Sequence, residues 1–277
     1  MTDLAGYSCL SFLTDYGRSD GFVAICHGQM LRHAPAVRII DITHEVPPGD
    51  VRRGATVLAE TVPELPPAVH VCVVDPGVGT ERRSVAIAAG GHVLVGPDNG
   101  LMTWAAAALG GVGGVRELTE PRLWRHPVSR TFHGRDVYAP VGARIAAGLP
   151  LEEVGEEVAA DTLRSLPEPR SAVGPGAAHG EVRAIDRFGN VQLSLGGGAL
   201  ERMGGAPEGP RRVAVRLRDR GDRVIAVGAT FGDVAPGELV LIADSAGHLA
   251  VAENGGNAAE RLGTAVGDPV DLEIREG

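Results

Sequence analysis

Three polar side chains on two turns could hold one water molecule between them. Asp75 and Arg82 lie in residues 74–82, and His133 lies in residues 131–136. A carboxylate, a guanidinium and an imidazole can orient a water and accept its proton. Metal ligation needs softer or more numerous ligands, and a phosphate-binding loop needs more glycines. The two segments therefore indicate hydrolytic chemistry on a positioned water molecule.

Each candidate also has an ordinary structural interpretation. An aspartate before Pro-Gly, as Asp75 is, commonly starts a turn, and a lone histidine such as His133 is more often a hydrogen-bonded structural residue. Asp15 follows a predicted strand, where it is equally suited to cap a turn or to accept the two hydroxyls of a ribose. The residue types alone leave these alternatives open.

The remaining motifs argue against a metal or a tightly bound phosphate. Residues 77–80 contain two glycines but lead into a predicted strand, so no helix N-terminus is available to a phosphate. No pair of histidines has the His-x-x-x-His or His-x-His spacing of a metal site. Cys9, Cys26 and Cys72 are widely spaced and predict buried free thiols. We therefore expect neither a metal nor a cofactor.

A second group of candidate residues lies in the C-terminal half. Asp186, Phe188 and Asn190 place a carboxylate, an aromatic ring and an amide within one short segment. A ring between polar groups is suited to stack on a purine, although a Gly-Asn turn is expected in any hairpin. Further along, residues 252–259 form a predicted turn whose backbone groups could contact a ligand.

The first half of the chain alternates predicted strands with predicted helices. Apolar runs predict strands at residues 8–13, 37–42 and 69–74, followed by a hairpin at 84–88 and 93–95. Helical patterns cover residues 20–33, 50–60, 99–109 and 134–147, the first with Asp20 as its capping residue. This alternation predicts an α/β domain with a mostly parallel sheet and helices on both faces.

The pattern changes after residues 167–176, which are rich in proline, glycine and serine and which we interpret as a linker. Beyond them short strands are predicted at residues 180–185, 190–195, 212–218, 223–227, 238–242 and 249–252, with one short helix at 258–262. Evenly spaced short strands predict a small β-barrel or sandwich. The expected domains are therefore residues 1–168 and 169–277.

Composition argues against several classes of partner. The 277 residues carry a net charge of −9, whereas nucleic acid binding requires a basic surface. No stretch approaches the roughly 20 apolar residues that span a bilayer, and the first residues lack the pattern of a signal peptide. Three widely spaced cysteines are typical of a reducing compartment. The composition therefore predicts a cytoplasmic protein that acts on a small molecule.

Seven segments together resemble one protein family across nearly the whole chain. They are residues 12–17, 40–44, 74–80, 95–100, 131–136, 185–190 and 257–259. In this order they resemble the S-adenosylmethionine hydroxide adenosyltransferases, the hydrolytic relatives of the S-adenosylmethionine-dependent fluorinating and chlorinating enzymes. The resemblance implies an N-terminal α/β domain, a C-terminal β-barrel and a homotrimer with active sites between subunits.

The resemblance also implies a reaction and a set of residues. In this family water attacks the 5′ carbon of S-adenosylmethionine and releases adenosine and L-methionine without a cofactor. The family's water-positioning residues correspond to Asp75, Arg82 and His133, and its ribose-binding carboxylate corresponds to Asp15. Its remaining nucleoside and methionine contacts correspond to Asp186, Phe188, Asn190, Ser245 and Asn254.

Such a reaction needs an activated nucleophile more than an activated leaving group. The sulfonium departs as a neutral thioether, whereas bulk water, with a pKa of about 15.7, attacks poorly. An ionised carboxylate beside a guanidinium can orient the water by accepting a hydrogen bond. We therefore assign orientation to Asp75 and Arg82, and proton acceptance to His133, since the ordinary pKa of histidine is about 6.5.

Halogenating relatives differ at the same positions. The fluorinating type has Tyr-Ser in place of His133-Gly134 and an added loop that this chain lacks, and the chlorinating type also lacks the histidine. Ala246 occupies the place of an arginine that binds the methionine carboxylate in the fluorinating type. A chlorinase or other halide-using transferase, and a non-catalytic nucleoside-binding protein, remain the alternative interpretations.

Overall fold

The computed structural model describes residues 6–204, 212–217 and 221–275. The chain divides into two compact units between Leu166 and Pro167. The first five residues, which enter the expectation about a signal peptide, and Arg218, the end of one predicted strand, lie outside the described part.

The first unit is built on a six-stranded sheet. Its strands are β1 (Cys9–Thr14), β2 (Arg38–Thr43), β3 (Val69–Val73), β4 (Ser84–Ala89), β5 (His92–Pro97) and β6 (Gly114–Glu117). They lie in the order β2-β1-β3-β5-β4-β6. The first four in this order are parallel, and β4 runs antiparallel to both of its neighbours. The mostly parallel sheet and the β4–β5 hairpin are as predicted, whereas β6 was not predicted.

Helices cover both faces of this sheet, as the sequence predicts. They are α1 (Phe22–His33), α2 (Val51–Thr61), α3 (Thr103–Ala108) and α4 (Ala139–Ala146), the last preceded by a π-helical turn at Gly134–Tyr138. Because successive strand residues point to opposite faces, Phe12 packs in one core cluster with Met30, and Leu13 packs in another with Leu58. No helix in the described part of the chain is long and apolar enough to cross a bilayer.

The predicted start of α1 was wrong. The helix begins at Phe22, with Gly21 in the N-cap position, and no side chain caps its first turn. Asp20 lies one residue too early for its carboxylate to take the N-cap position. Asp50 does cap α2, because its side chain accepts a hydrogen bond from the backbone N–H of Arg53 at 2.9 Å.

The second unit is a closed barrel of seven strands. They are β8 (Ala177–Ile185), β9 (Val191–Gly196), β10 (Arg212–Leu217), β11 (Asp222–Val227), β12 (Leu239–Ala243), β13 (His248–Glu253) and β14 (Pro269–Ile274). The order β14-β10-β11-β12-β13-β9-β8 is closed by pairing of β14 with β8. A further strand, β7 (Ser171–Gly174), pairs with β8, and two short helices follow at α5 (Ala199–Arg202) and α6 (Ala258–Leu262).

The six strands predicted for this unit are present, but two others were missed. β7 falls inside the predicted linker. It was missed because the residues of Ser171–Gly174 have weak strand character, and it forms because the segment pairs with β8. β14 closes the barrel. Its sequence alternates, since Val270 and Leu272 are buried while Asp271 and Glu273 are partly exposed, so the period-two pattern could have revealed it.

A buried chain of hydrogen bonds crosses the middle of the first sheet. Ser11 Oγ lies 2.6 Å from His70 Nδ1, and His70 Nε2 lies 2.8 Å from His92 Nδ1. Burial, aided by the nearby His92, lowers the pKa of His70 to about 3. The folded protein therefore holds His70 neutral at pH values where the unfolded chain would protonate it.

This difference predicts an acid-sensitive stability. The contribution of His70 is fully present above its unfolded pKa of about 6.5 and is lost as pH falls toward the folded value, at up to about 1.4 kcal/mol per pH unit. We expect His70→Gln to reduce the slope of unfolding free energy against pH by that amount between about pH 6 and about pH 4. Urea unfolding at several pH values measures it. His126→Gln, at an exposed histidine, is the matched control, and an equal slope in the wild type and His70→Gln would contradict the assignment.

Candidate active site

The candidate catalytic residues lie at the carboxyl ends of neighbouring parallel strands. Asp15 follows β1, and Asp75 follows β3 after one further residue. The chain passes from β1 to β2 on one side of β1, while β3 lies on the other side. In open α/β sheets such a switch point forms a crevice at the carboxyl ends of the strands, where ligands bind. The topology therefore places both carboxylates at the preferred binding edge.

Asp75 and Arg82 form a two-point ion pair. Arg82 Nε donates to Asp75 Oδ1 at 2.9 Å, and Arg82 Nη2 donates to Asp75 Oδ2 at 2.5 Å. The two side chains are only 5% and 7% exposed, so water screens the pair poorly. Burial opposes the charge on Arg82, but the hydrogen bond and charge of Asp75, together with Tyr138, outweigh burial, and the pKa of Arg82 is raised. Each carboxylate oxygen retains a second lone pair that can accept a hydrogen bond from water.

His133 joins this pair through Arg82. Arg82 Nη2 lies 2.9 Å from His133 Nδ1. Because a guanidinium can only donate, Nδ1 must accept, and the neutral ring carries its hydrogen on Nε2. Burial, and then the charge of Arg82, lower the pKa of His133. This geometry favours a neutral histidine that donates from Nε2 and disfavours proton acceptance at Nδ1. It also leaves no set of open ligands for a metal among the three residues.

Two hydroxyl groups hold Arg82 in this position. Arg82 Nη1 donates to Ser84 Oγ at 2.9 Å, and Ser84 Oγ lies 3.1 Å from the hydroxyl of the fully buried Tyr138. The guanidinium carbon also lies 5.6 Å from the centre of the Tyr138 ring, a cation–π distance. The sequence did not reveal either residue, because Tyr138 is far from Arg82 along the chain and neither belongs to a recognisable pattern.

Asp15 makes a structural hydrogen bond and also lies at the candidate site. Its Oδ2 accepts a hydrogen bond from the backbone N–H of Gly49 at 2.8 Å, which ties the loop after β1 to the loop after β2. Burial raises the pKa of Asp15, and the nearby Asp75 acts in the same direction. The hydrogen bond gives Asp15 a structural role. A carboxylate braced by a backbone amide is also pre-oriented for a ligand, and contact of Asp15 with a ribose stays a prediction.

An aromatic pocket lies beside these residues and was not predicted. Tyr16, Phe22 and Phe132 meet edge to face, with ring centres 5.4 to 6.1 Å apart. They line an open pocket of about 450 Å³ together with Ser129, Thr131 and Arg135. Tyr16 directly follows Asp15, and Phe132 directly precedes His133. The pocket is therefore adjacent to the polar residues, and its volume suits a small organic ligand.

A serine pattern in the same loop does not form a nucleophile elbow. Residues 17–21 read Gly-Arg-Ser-Asp-Gly, the letters of that motif, which requires a sharp turn from strand to helix. Here the loop runs from Thr14 to Phe22, and Ser19 is exposed. Among the described hydrogen bonds none joins Ser19 to a histidine, so the loop gives no support to a serine nucleophile.

In the second unit, Asp186, Phe188 and Asn190 share one turn between β8 and β9. Asp186 Oδ1 accepts from the backbone N–H groups of Phe188 and Asn190, at 2.8 and 2.9 Å, and Oδ2 accepts from Asn190 Nδ2 at 2.7 Å. The carboxylate is therefore engaged in shaping the turn. The Phe188 ring is 68% exposed, which makes it available for stacking.

The two remaining predicted contacts lie at opposite ends of β13. Asn254 follows the strand and donates from Nδ2 to the carbonyl of Val234 at 2.8 Å, whereas Ser245 is exposed in the turn before the strand. A six-residue strand separates them by about 17 Å. The backbone N–H of Ala259 donates to Gly189 O at 2.9 Å, so the turn after β13 lies beside the Asp186 turn. The structure does not bring Ser245 to the turn that carries Asp186, Phe188 and Asn190.

The chain matches known proteins along nearly its whole length. Two family models match, the S-adenosylmethionine hydroxide adenosyltransferase N-terminal domain at residues 10–155 and the corresponding C-terminal domain at residues 180–271. A protein of Salinispora tropica named (R)-S-adenosyl-L-methionine hydrolase is 54% identical, with 94% of this chain and 95% of the relative covered. A protein of the same name from Thermus thermophilus is 43% identical, with 94% and 98% covered.

The chain is also similar to more distant relatives and to a solved structure. Fluorinases match at 27% to 30% identity, among them one from Nocardia brasiliensis. The crystal structure of an uncharacterized conserved protein from Thermotoga maritima aligns with a TM-score of 0.89 at 36% identity, covering 95% of this chain and 99% of that chain. The two family models and the identity of these relatives show that the chain belongs to the S-adenosylmethionine hydroxide adenosyltransferase family.

Proposed function

We propose that this protein hydrolyses S-adenosyl-L-methionine to adenosine and L-methionine. One observation carries the proposal: Asp75, Arg82 and His133, from separate segments, form one connected group at the switch point of the sheet. Family membership and relatives that are named S-adenosyl-L-methionine hydrolases support the substrate. The aromatic pocket beside the group offers an apolar surface for part of that substrate.

The geometry suggests how the nucleophile is prepared. A cationic Arg82 and a donating Nε2–H of His133 both stabilise negative charge, so a water bound beside them loses a proton to solvent more readily than bulk water does. An Asp75 oxygen accepts the remaining hydrogen and directs the oxygen lone pair. The new bond forms between this oxygen and the 5′ carbon. The carbon–sulfur bond breaks, and its electron pair stays on sulfur, which leaves as the neutral thioether of methionine.

Gly134 argues for hydrolysis over halide transfer. A Cβ atom built on Gly134 would overlap the hydroxyl of Tyr16, well inside van der Waals contact. The Tyr-Ser pair of the fluorinating type therefore does not fit at positions 133 and 134 unless Tyr16 moves. The relatives named hydrolases are also more similar to this chain than the fluorinases are. Both observations favour water as the co-substrate.

A non-catalytic nucleoside-binding protein accounts less well for the same site. Binding a nucleoside requires stacking surfaces and hydrogen-bond partners, which the aromatic pocket and Asp15 could supply. It does not require a buried ion pair that also holds a histidine in one tautomer. The Asp75–Arg82–His133 group therefore favours the enzyme.

We further propose a cytoplasmic homotrimer with active sites at subunit interfaces and no cofactor. The family resemblance implies this assembly. The exposed Phe188 ring supports it, because an aromatic side chain that is 68% exposed is suited to contact another molecule. Light scattering on the purified protein is expected to give a mass three times the 28.6 kDa of the chain.

Incubation with S-adenosyl-L-methionine in ¹⁸O-labelled water tests the reaction. We expect the label in the 5′ hydroxyl of adenosine and none in methionine, because water attacks carbon rather than sulfur. A parallel incubation with excess chloride should give the same product. Formation of 5′-chloro-5′-deoxyadenosine would instead identify a halide transferase, and tight adenosine binding without turnover would identify a binding protein.

A further inference from the structure

Three potential metal ligands meet at the edge strand of the first sheet. His27 lies on α1, Asp41 on β2 and His44 just after β2. Asp41 Oδ1 lies 2.8 Å from His27 Nε2 and 3.1 Å from His44 Nε2. One ligand atom of each residue lies within 4.8 Å of the others, and no other such group exists in the described part of the chain. None of these residues has a role in the proposed hydrolysis.

The buried His44 points one ring nitrogen into the cluster. This side chain is only 1% exposed, and its Nε2 lies 3.1 Å from Asp41 Oδ1, a polar contact that is poorly aligned for a hydrogen bond. Its other ring nitrogen, Nδ1, lies 2.9 Å from Thr14 Oγ1. A histidine that ligates a metal commonly uses one ring nitrogen for the ion and the other for a hydrogen bond that fixes the ring. His44 has this arrangement.

The separations also suit a metal. Ligand bonds of about 2.0–2.1 Å at tetrahedral angles place neighbouring ligand atoms about 3.3 Å apart. The two distances to Asp41 Oδ1, 2.8 and 3.1 Å, are both shorter than that value, by about 0.5 and about 0.2 Å. A small movement of the side chains would therefore admit an ion. Two imidazoles and one carboxylate are a donor set typical of zinc and related divalent ions. Asp41 and His27 are partly exposed, so an ion can reach the cluster from solvent.

We propose that His27, Asp41 and His44 bind one divalent transition-metal ion of the zinc type, with water completing the coordination. The ion would act structurally. The carbonyl of His44 accepts a hydrogen bond from Gly17 N–H at 2.8 Å, and its ring is held by Thr14. Fixing His44 therefore fixes Thr14 and Gly17, which lie on either side of Asp15, so the ion stabilises that part of the candidate active site.

The sequence does not reveal this cluster, because its three residues lack the short spacing of a metal-binding motif. His27 lies on α1 and Asp41 on β2. The pairing of β2 with β1 places Asp41 opposite Phe12, and α1 packs the His27 ring 5.8 Å from the Phe12 ring, which brings the two residues together.

Zinc binding by the tag-free protein, dialysed against a chelator, tests the proposal. Isothermal titration with Zn²⁺ is expected to show one equivalent per chain. Because loss of even an outer partner of a metal site costs about 10- to 100-fold in affinity, Asp41→Asn and His27→Gln should each weaken binding at least as much. Cobalt absorption in the visible range provides a second readout of the ligand set, and circular dichroism checks that each variant folds.

A surface pair supplies the matched control. His179 Nδ1 lies 2.7 Å from Asp271 Oδ1, but among the residues that the structure describes no third ligand accompanies this exposed pair, so His179→Gln should leave zinc affinity unchanged. Wild-type binding weaker than about 1 mM would overturn the proposal, as would equal affinity in the wild type and in both cluster variants. Neither result depends on whether the protein hydrolyses S-adenosyl-L-methionine.

Discussion

Replacing His133 with alanine is expected to lower the rate of adenosine release by about 10²- to 10⁴-fold, whereas His133→Gln should retain a measurable part of the lost activity. The reason is the direction of the ring. Arg82 occupies Nδ1, so the neutral histidine acts through the hydrogen on Nε2, and a glutamine amide can donate a hydrogen bond from a similar position. The glutamine amide cannot take up a proton, so it cannot act as a general base.

Comparing the two variants separates donation from general-base catalysis. Single-turnover rates and substrate affinity should be measured for both, with His126→Gln as a control at an exposed histidine. Partial rescue by glutamine supports the donor role. If glutamine is as inactive as alanine while substrate affinity is unchanged, His133 is the proton acceptor that the sequence suggested, and it must then release Arg82 during the reaction.

The pH profile of hydrolysis should reflect the same group. Burial and the charge of Arg82 lower the pKa of His133, so the neutral form persists below the ordinary value of about 6.5. Protonation adds a hydrogen at Nδ1 that opposes the Arg82 donor. Activity attributable to His133 is therefore expected to be complete above about pH 6.5 and to decline only at lower pH.

The second large effect is expected for Asp75→Asn, which should lower kcat by about 10²- to 10³-fold. The amide has one acceptor oxygen where the carboxylate has two, so it cannot accept both hydrogen bonds from Arg82, and its NH2 group faces a guanidinium that can only donate. Loss of the carboxylate charge also leaves the buried Arg82 guanidinium without its counter-charge. Such a change costs about 3–5 kcal/mol of stability in typical buried pairs. Thermal unfolding and steady-state kinetics should both be measured, because each reports one of these consequences.

Asp98→Asn distinguishes catalysis from stability. Asp98 is buried, and its Oδ2 accepts from Arg83 Nε and Nη2 at 2.9 and 2.7 Å. No described side-chain hydrogen bond joins this ion pair to Asp75, Arg82 or His133. This variant should lose stability and keep its turnover at a temperature where it is folded. An equal loss of turnover in both variants would mean that Asp75 acts by supporting the fold.

Local patterns in the sequence were sufficient for the fold class. Apolar runs predicted β1 to β5, and their alternation with helical patterns predicted helices on both faces of the sheet, because both patterns are local along the chain. Residue types at strand ends indicated Asp15 and Asp75, since parallel strands align their carboxyl ends at one edge.

Contacts between distant segments were decided only by the tertiary structure. The tautomer of His133 depends on Arg82, the position of Arg82 depends on Tyr138, and the metal-type cluster depends on the pairing of β1 with β2. Closure of the barrel by β14 on β8 is of the same kind. A chain pattern determines which face a side chain occupies, but which distant group it meets depends on strand order and helix packing. That is why the candidate residues could be named from the sequence while their protonation and partners could not.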